Sequence, residues 1–284
     1  MASDAHAHPG NLLERFPGAE QERRSLGVAC AASAWSGEEF ALHRELAGRA
    51  RSEGAAPMAL CFAAHPQLPA LSFAQSGGAA ADRGFFRPLL ELLETLAVSS
   101  SLNAVGETGF DLYDQRFRST EAVQDELFAA HLEIALRCAL PLVIHARKAL
   151  HKVFAHTAAL KRLPAVVLHS YMGTAEEGAS LLRRGVNAYF SFGAAILLNH
   201  KTAIRACALL PLDHLLLETD APYQPLRGRE FSRWADLAAI RRGAAAIRRA
   251  AGGGGGDPAE PEAALEAALE AATDRNFADV FFPE

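Results

Sequence analysis

The sequence is short of cysteine. Only Cys30, Cys61, Cys138 and Cys207 occur in 284 residues. Widely spaced and set in apolar surroundings, they form neither the close pairs of a zinc ribbon nor the density of a disulfide scaffold, and they read as reduced core residues. No uninterrupted apolar run approaches the roughly 18 residues that a membrane span needs. The opening Met-Ala-Ser-Asp-Ala-His has no basic segment followed by an apolar one, as an export signal would. A soluble cytoplasmic chain with no membrane partner is the expectation. An excess of positive charge is missing too, with 28 Lys and Arg against 33 Asp and Glu, a net charge of -5. That excludes coating of nucleic acid through an overall basic surface and leaves room for a local basic strip beside a cleft.

What is present is apolar material, half of all residues, enough for a large core. It is distributed as short Val-, Leu-, Ala- and Phe-rich runs separated by longer amphipathic stretches, the alternation that builds a parallel sheet covered by helices. Eight runs read as strands: Ala2 to His8, Leu26 to Ala32, Met58 to Ala64, Asn103 to Gly106, Leu142 to Ala146, Ala165 to His169, Ala188 to Phe192 and His214 to Glu218. Helices are expected over Gly37 to Arg51, Arg87 to Leu96, Thr120 to Cys138, Lys148 to Leu160, Thr174 to Arg184 and His200 to Leu209, each long enough for a right-handed crossover. Eight strands with intervening helices predict an α/β fold, a TIM-like (β/α) barrel with outer helices and its site at the C-terminal face of the strands; a doubly wound sheet is the alternative. From Arg229 the strand signal stops. Basic pairs at Arg241, Arg242, Arg248 and Arg249 suit the solvated face of a helix. A Gly-rich loop is expected near 252–256, followed by a packing helix from Glu262 to Ala272 with Leu265 and Leu269 one turn apart, and by anchors at Phe277, Val280, Phe281 and Phe282. One barrel domain over residues 1–284 is the expected organisation.

Ligand-type side chains recur where these strands end. Asp4, His6 and His8 alternate in Asp-Ala-His-Ala-His, so that on a strand both imidazoles face one side and can converge on an ion. Glu107 sits in Ala-Val-Gly-Glu-Thr-Gly-Phe-Asp, between glycines that let the backbone turn and a ligand approach. His145 ends Pro-Leu-Val-Ile-His, His169 ends Ala-Val-Val-Leu-His, and Asp220 ends Leu-Leu-Leu-Glu-Thr-Asp. Any one of them reads equally well as a satisfied buried polar residue, but ligand types at five strand ends point to a shared centre. Imidazole and carboxylate without thiolate favour Zn, Mn, Fe, Co or Mg, and six donors exceed what one tetrahedral ion requires. The surplus suggests two metals, with Glu107 as the natural bridge at the roughly 3.5 to 4 Å separation of paired ions.

The ordered set Asp-x-His-x-His, Gly-Glu-x-Gly-x-Asp, Ile-His-x-Arg, Leu-His-Ser and Glu-Thr-Asp-Ala-Pro-Tyr resembles the TatD-type metal-dependent deoxyribonucleases of the amidohydrolase superfamily. The resemblance runs from Asp4 to about Phe281 and includes His65-Pro66. It implies a barrel with His6, His8, Glu107 and Asp220 on one divalent ion and Glu107, His145 and His169 on a second, with Mg, Mn or Zn as cofactor. It further implies hydrolysis of phosphodiester bonds in DNA, single-stranded or with a free 3′ end. Thr108, Phe110 and the run Gly252 to Gly256 depart from the family pattern without touching a proposed ligand.

In this reading Asp220 and Glu107 are the catalytic carboxylates, Asp220 sharing in acceptance of the water's proton. His65, Arg147 and Tyr223 are substrate-side candidates: Arg147 faces the same way as His145 and suits a phosphate, against a competing ion pair with Asp111 or Glu218. Tyr223 and Tyr171 offer stacking surfaces, core packing being the plainer role for at least one. Glu218 suits an outer acceptor that orients a ligand. His43, His131, His151, His156, His200 and His214 read as surface or packing residues. The competing function is a small-molecule esterase, lactonase or phosphotriesterase on the same ions, although the strand ending at His145 offers no lysine for carbamylation.

Overall fold

A computed structural model describes residues 2–75, 83–252 and 262–283. Eight strands form one parallel sheet in sequence order: β1 Ala2–Ala7, β2 Val28–Ala34, β3 Met58–Phe62, β4 Ala104–Asp111, β5 Leu142–Arg147, β6 Val166–Leu168, β7 Ala188–Phe192 and β8 Leu215–Leu217. Neighbours pair in parallel from β1 to β8. The circle closes just beyond β8, where Asp220 N–H donates to the His6 carbonyl (3.0 Å) and His8 N–H to the Ala221 carbonyl (2.8 Å). The expected barrel is present, and among the described residues no helix is long and apolar enough to cross a membrane.

Every strand contributes to one interior cluster: Ala5, Ala29, Ala31, Ala59, Cys61, Ala104, Val143, Val167, Tyr189 and Leu216. Most of these side chains are small, and bulk arrives from outside the barrel. Phe277, Val280 and Phe281, on the helix Glu262–Phe281, join the same cluster. Polar latches fix that helix to the ends of the strands away from the ligand-type residues. Ser3 Oγ donates to Asp274 Oδ1 (2.7 Å), Asn103 Nδ2 to the Phe281 carbonyl (2.8 Å), and Asn276 Nδ2 to the carbonyls of Leu212 and Leu215 (2.9 and 2.7 Å). The expected packing helix therefore runs nine residues past Ala272 and stoppers the barrel at the end away from the ligand-type residues.

Several expectations change. The second strand starts at Val28, because Leu26 ends the helix Ala19–Leu26 and Gly27, at φ 65°, caps it in a conformation that favours glycine. The fourth strand continues through Glu107 to Asp111 instead of stopping at Gly106. The stretch Lys148 to Leu160 forms two short helices, Leu150–Ala155 and Thr157–Leu160. Arg248 is not on a solvated face. It is buried, and its Nη1 donates to the carbonyls of Cys207 and Leu210 (2.9 Å each), at the end of the helix Lys201–Leu209, where main-chain acceptors have no helical partner. Arg241 pairs with Glu266 and Glu270 (3.0 and 2.7 Å). The expected Gly-rich loop falls, apart from Gly252, outside the described residues.

Because Phe277 fills the space that the interior alanines leave, Phe277→Ala is expected to destabilise the fold by about 3–5 kcal/mol. Urea unfolding measures this, and a loss below about 1 kcal/mol would contradict the stopper role.

Candidate metal centre

The ligand-type residues meet at the C-terminal ends of the strands, around Glu107. Its Oε2 lies 3.1 Å from His6 Nε2 and 3.5 Å from His8 Nε2. Its Oε1 lies 2.6 Å from His145 Nδ1, 2.9 Å from His169 Nε2 and 3.1 Å from His65 Nε2. One buried carboxylate thus divides five imidazoles into two groups, one at each oxygen. Asp220 Oδ1 completes the first group, 3.8 Å from His6 Nε2 and 3.6 Å from His8 Nε2.

Local backbone features place these groups. The β1–β2 register slips between Asp4 and Ala7, so that Ala5 and His6, adjacent in sequence, both serve the inside. Asp4 does not join the ligand group: it accepts from Thr219 Oγ1 (2.6 Å) and Thr219 N (3.0 Å), stapling β1 to the segment that carries Asp220. Burial pushes its carboxyl up to about 7 despite those donors. Asp220 itself sits at φ 50°, an unfavourable conformation for a side chain with a Cβ, held by its pairing with His6. The glycines beside Glu107 answer to β5: a Cβ on Gly106 would stand 2.5 Å from Val143 Cβ, and one on Gly109 2.1 Å from the His145 carbonyl oxygen. They let β4 and β5 close up so that Glu107 meets His145.

An outer layer orients the rings. Ser33 Oγ stands 3.3 Å from His6 Nδ1, Asp111 Oδ2 3.3 Å from His145 Nε2 and Glu218 Oε1 3.4 Å from His169 Nδ1. Gln224 Nε2 donates to Asp220 Oδ2 (2.8 Å) and Gln67 Nε2 to Asp111 Oδ2 (2.7 Å). Further out, His131 Nδ1 meets Thr108 Oγ1 (2.7 Å) and its Nε2 accepts the Ala64 N–H (3.2 Å), tying β4 to the end of β3.

The electrostatics favour cations at the centre. Burial alone pushes Glu107 up, yet His65, His169 and His6 hold it well below the usual carboxylate range. Burial pushes His169 down, and Glu107 and Glu218 reverse that and raise it well above an ordinary histidine. His6 Nε2 and His8 Nε2 stand 3.2 Å apart beside the same carboxylates, where a shared proton or a cation satisfies both nitrogens. Three donor triads have ligand atoms within 4.8 Å of one another: His6–Glu107–His169, His6–His8–Asp220 and His65–Glu107–His145. An all-nitrogen-and-oxygen set of this kind fits divalent ions of the Zn, Mn or Mg type.

All six expected ligands therefore come together. His65 comes with them, in contact with Glu107. Its Nδ1 accepts the Gln67 N–H (3.2 Å), so the ring proton is on Nε2 and points at Glu107 Oε1, which suits a donor better than a ligand. Arg147 is 48% exposed on its side chain, 4.0 Å from Asp111, and its guanidinium lies 3.7 Å from the centre of the Tyr113 ring. Tyr223 is exposed, edge-on to His8 at 5.1 Å, with its hydroxyl donating to Asn11 Oδ1 (3.0 Å). Tyr171 is buried against Phe190 and Phe192 and leaves no stacking face. Sequence reasoning missed Ser33, Gln67 and Gln224; Asp111 was visible as the last member of the Gly-Glu-x-Gly-x-Asp motif and as an ion-pair partner for Arg147, not as the support of His145.

Imidazoles and carboxylates gathered at one mouth of a parallel (β/α) barrel define a barrel hydrolase. Within that class the chain belongs to the TatD related DNase family, whose profile matches residues 3–279. It is 34% identical over 193 residues to the 3'-5' ssDNA/RNA exonuclease TatD of Cronobacter sakazakii, covering 66% of this chain and 68% of the relative. It is 35% identical over 150 residues to an uncharacterized metal-dependent hydrolase, YcfH, of Escherichia coli, covering 50% and 54%. In fold it is similar to the YJJV TatD homolog of Escherichia coli (TM-score 0.76, 23% identity, 99% and 97% coverage) and to a TatD family hydrolase of Entamoeba histolytica (TM-score 0.75, 15% identity, 100% and 98%).

Burial holds the His131 pKa down, from 6.5 to about 3. Between these values the unfolded chain takes up a proton that the folded chain refuses, so the stability present above pH 6.5 is lost as pH falls toward 3. In urea unfolding across that range, His131→Gln is expected to lose stability with a shallower slope than wild type. Equal slopes would mean that the ring does not stay neutral.

Proposed function

We propose that this chain is a two-metal nuclease that hydrolyses phosphodiester bonds of single-stranded DNA from a free 3′ end, with residues 1–284 acting as one catalytic unit. One observation carries the reading: the two oxygens of Glu107 face two separate sets of imidazoles, the arrangement a bridging carboxylate needs. The name of the Cronobacter sakazakii relative supports the substrate and the polarity. His6, His8, Glu107 and Asp220 hold one ion, and Glu107, His145 and His169 the other, with Mg or Mn as first choice and Zn as the alternative. When bound, the ions supply the Lewis acidity that makes a water acidic near neutral pH and offsets charge on the reacting phosphate.

The protein's own groups do the rest. Asp220, whose carboxylate plane Gln224 fixes through Oδ2, shares in accepting the water's proton. Arg147, steadied on Tyr113 but still open to solvent, binds a phosphate oxygen. His65 donates from Nε2 to a second phosphate oxygen, its tautomer set by the Gln67 amide. Tyr223 offers its exposed ring to the terminal base, beside His8.

With a 5′-labelled single-stranded oligonucleotide, the purified chain is expected to produce a ladder shortened from the 3′ end in Mg or Mn. EDTA or Glu107→Ala should abolish it, and Asp220→Asn should lower kcat by about 10²–10⁴. A folded, metal-loaded chain that leaves the oligonucleotide intact would defeat the nuclease reading. Arg147→Ala is expected to raise KM about tenfold with little change in kcat, from loss of a charged hydrogen bond. A kcat effect without a KM effect would remove Arg147 from substrate binding.

A further inference from the structure

Among the proposed ligand histidines, His8 and His169 each have a buried Nδ1 without a hydrogen-bond partner, and His169 Nδ1 has Glu218 Oε1 at 3.4 Å. His6, His145 and His169 each set their second ring nitrogen within 3.4 Å of a protein oxygen. His8 turns Nε2 to Glu107 and Asp220, while its Nδ1 is buried without a hydrogen-bond partner. Glu39 Oε1 is likewise buried without one.

Glu39 stands third in the helix Gly37–Ser52, where its N–H donates to the N-cap Ser36 Oγ (3.2 Å). Its Oε2 accepts the Trp35 N–H (3.1 Å), which fixes the carboxylate. Oε1 is thereby held beside Gly10, two residues after His8, where a Cβ would stand 3.4 Å from it. The near histidine, His43, is no donor to Oε1: the two are 3.9 Å apart, and His43 Nε2 is already accepting the Gly10 N–H (3.0 Å). Glu39 Oε1 and His8 Nδ1 thus flank the same His8–Gly10 segment, each buried with its hydrogen-bonding capacity unused. A buried donor and a buried acceptor left in this way are satisfied when a water lies between them.

We propose that Glu39 Oε1 accepts the His8 Nδ1 proton through a single bridging water and so fixes the tautomer that leaves His8 Nε2 free for an ion. Glu39 is then a positioning residue of the metal centre, and the assignment rests on the metal-centre reading above. It gives His8 the carboxylate support that Asp111 gives His145, from an element outside the family motifs.

Glu39→Gln separates this role from helix capping. The amide oxygen still accepts the Trp35 N–H, while the amide nitrogen replaces the acceptor facing His8. Ser36→Ala does the opposite, weakening the cap and leaving Oε1 in place. The metal-free chains are titrated with Mn(II), and free ion is read from its EPR signal. Glu39→Gln is expected to weaken Mn(II) binding at one site about 10- to 100-fold, with a metal-free melting temperature close to wild type. Ser36→Ala should lower the melting temperature and keep wild-type Mn(II) affinity. Unchanged affinity in Glu39→Gln, or equal losses of affinity in both variants, would overturn the proposal. Failure of the wild-type chain to bind Mn(II) would instead defeat the metal centre itself.

Discussion

A single buried carboxylate set among five imidazoles governs the rest of this structure. Removing Glu107 from water carries a penalty of several kcal/mol, and hydrogen bonds and charge from imidazoles on strands far apart in sequence offset it. Their rings must approach from fixed directions, so each needs its own outer support. Ser33, Asp111 and Glu218 supply that support to His6, His145 and His169 from β2, β4 and the segment just after β8. The demands of one residue thereby reach most of the barrel mouth.

The barrel handles its two ends differently. At one end Phe277, Val280 and Phe281 fill an interior lined largely by alanine, so apolar packing gives that end rigidity. At the other the interior positions are polar and mutually constrained, and rigidity comes from hydrogen bonds and charge. This division lets β4 and β5 approach closely at Gly106 and Gly109 without loss of the core beneath them.

The eight strands and the six ligand-type residues were legible in the sequence because both leave local marks: a short apolar run, then a polar residue at its end. What escaped depends on contacts between distant segments. The burial of Arg248 follows from the carbonyls of Cys207 and Leu210, which nothing near Arg248 announces. The extension of β4 past Gly106 follows from pairing with β5, and the register slip in β1 from pairing with β2. The two glycines were read as room for a ligand; they make room for a neighbouring strand. His65 was legible as a substrate-side candidate, but its approach to Glu107 emerges only once β3 lies next to β4.

The barrel's seam also sets the order in which the candidate centre can assemble. His6 and His8, from the first strand, are joined to Asp220 and Ala221, beyond the last, by the backbone bonds that close the circle. More than two hundred residues separate the partners, and Asp4 and Thr219 repeat the connection through side chains. A nascent chain holding only the early strands has its first imidazoles but neither the carboxylate at position 220 nor the pairing that orients it. Such a chain holds an incomplete ligand set, and the centre assembles only when the segment after the last strand docks against the first.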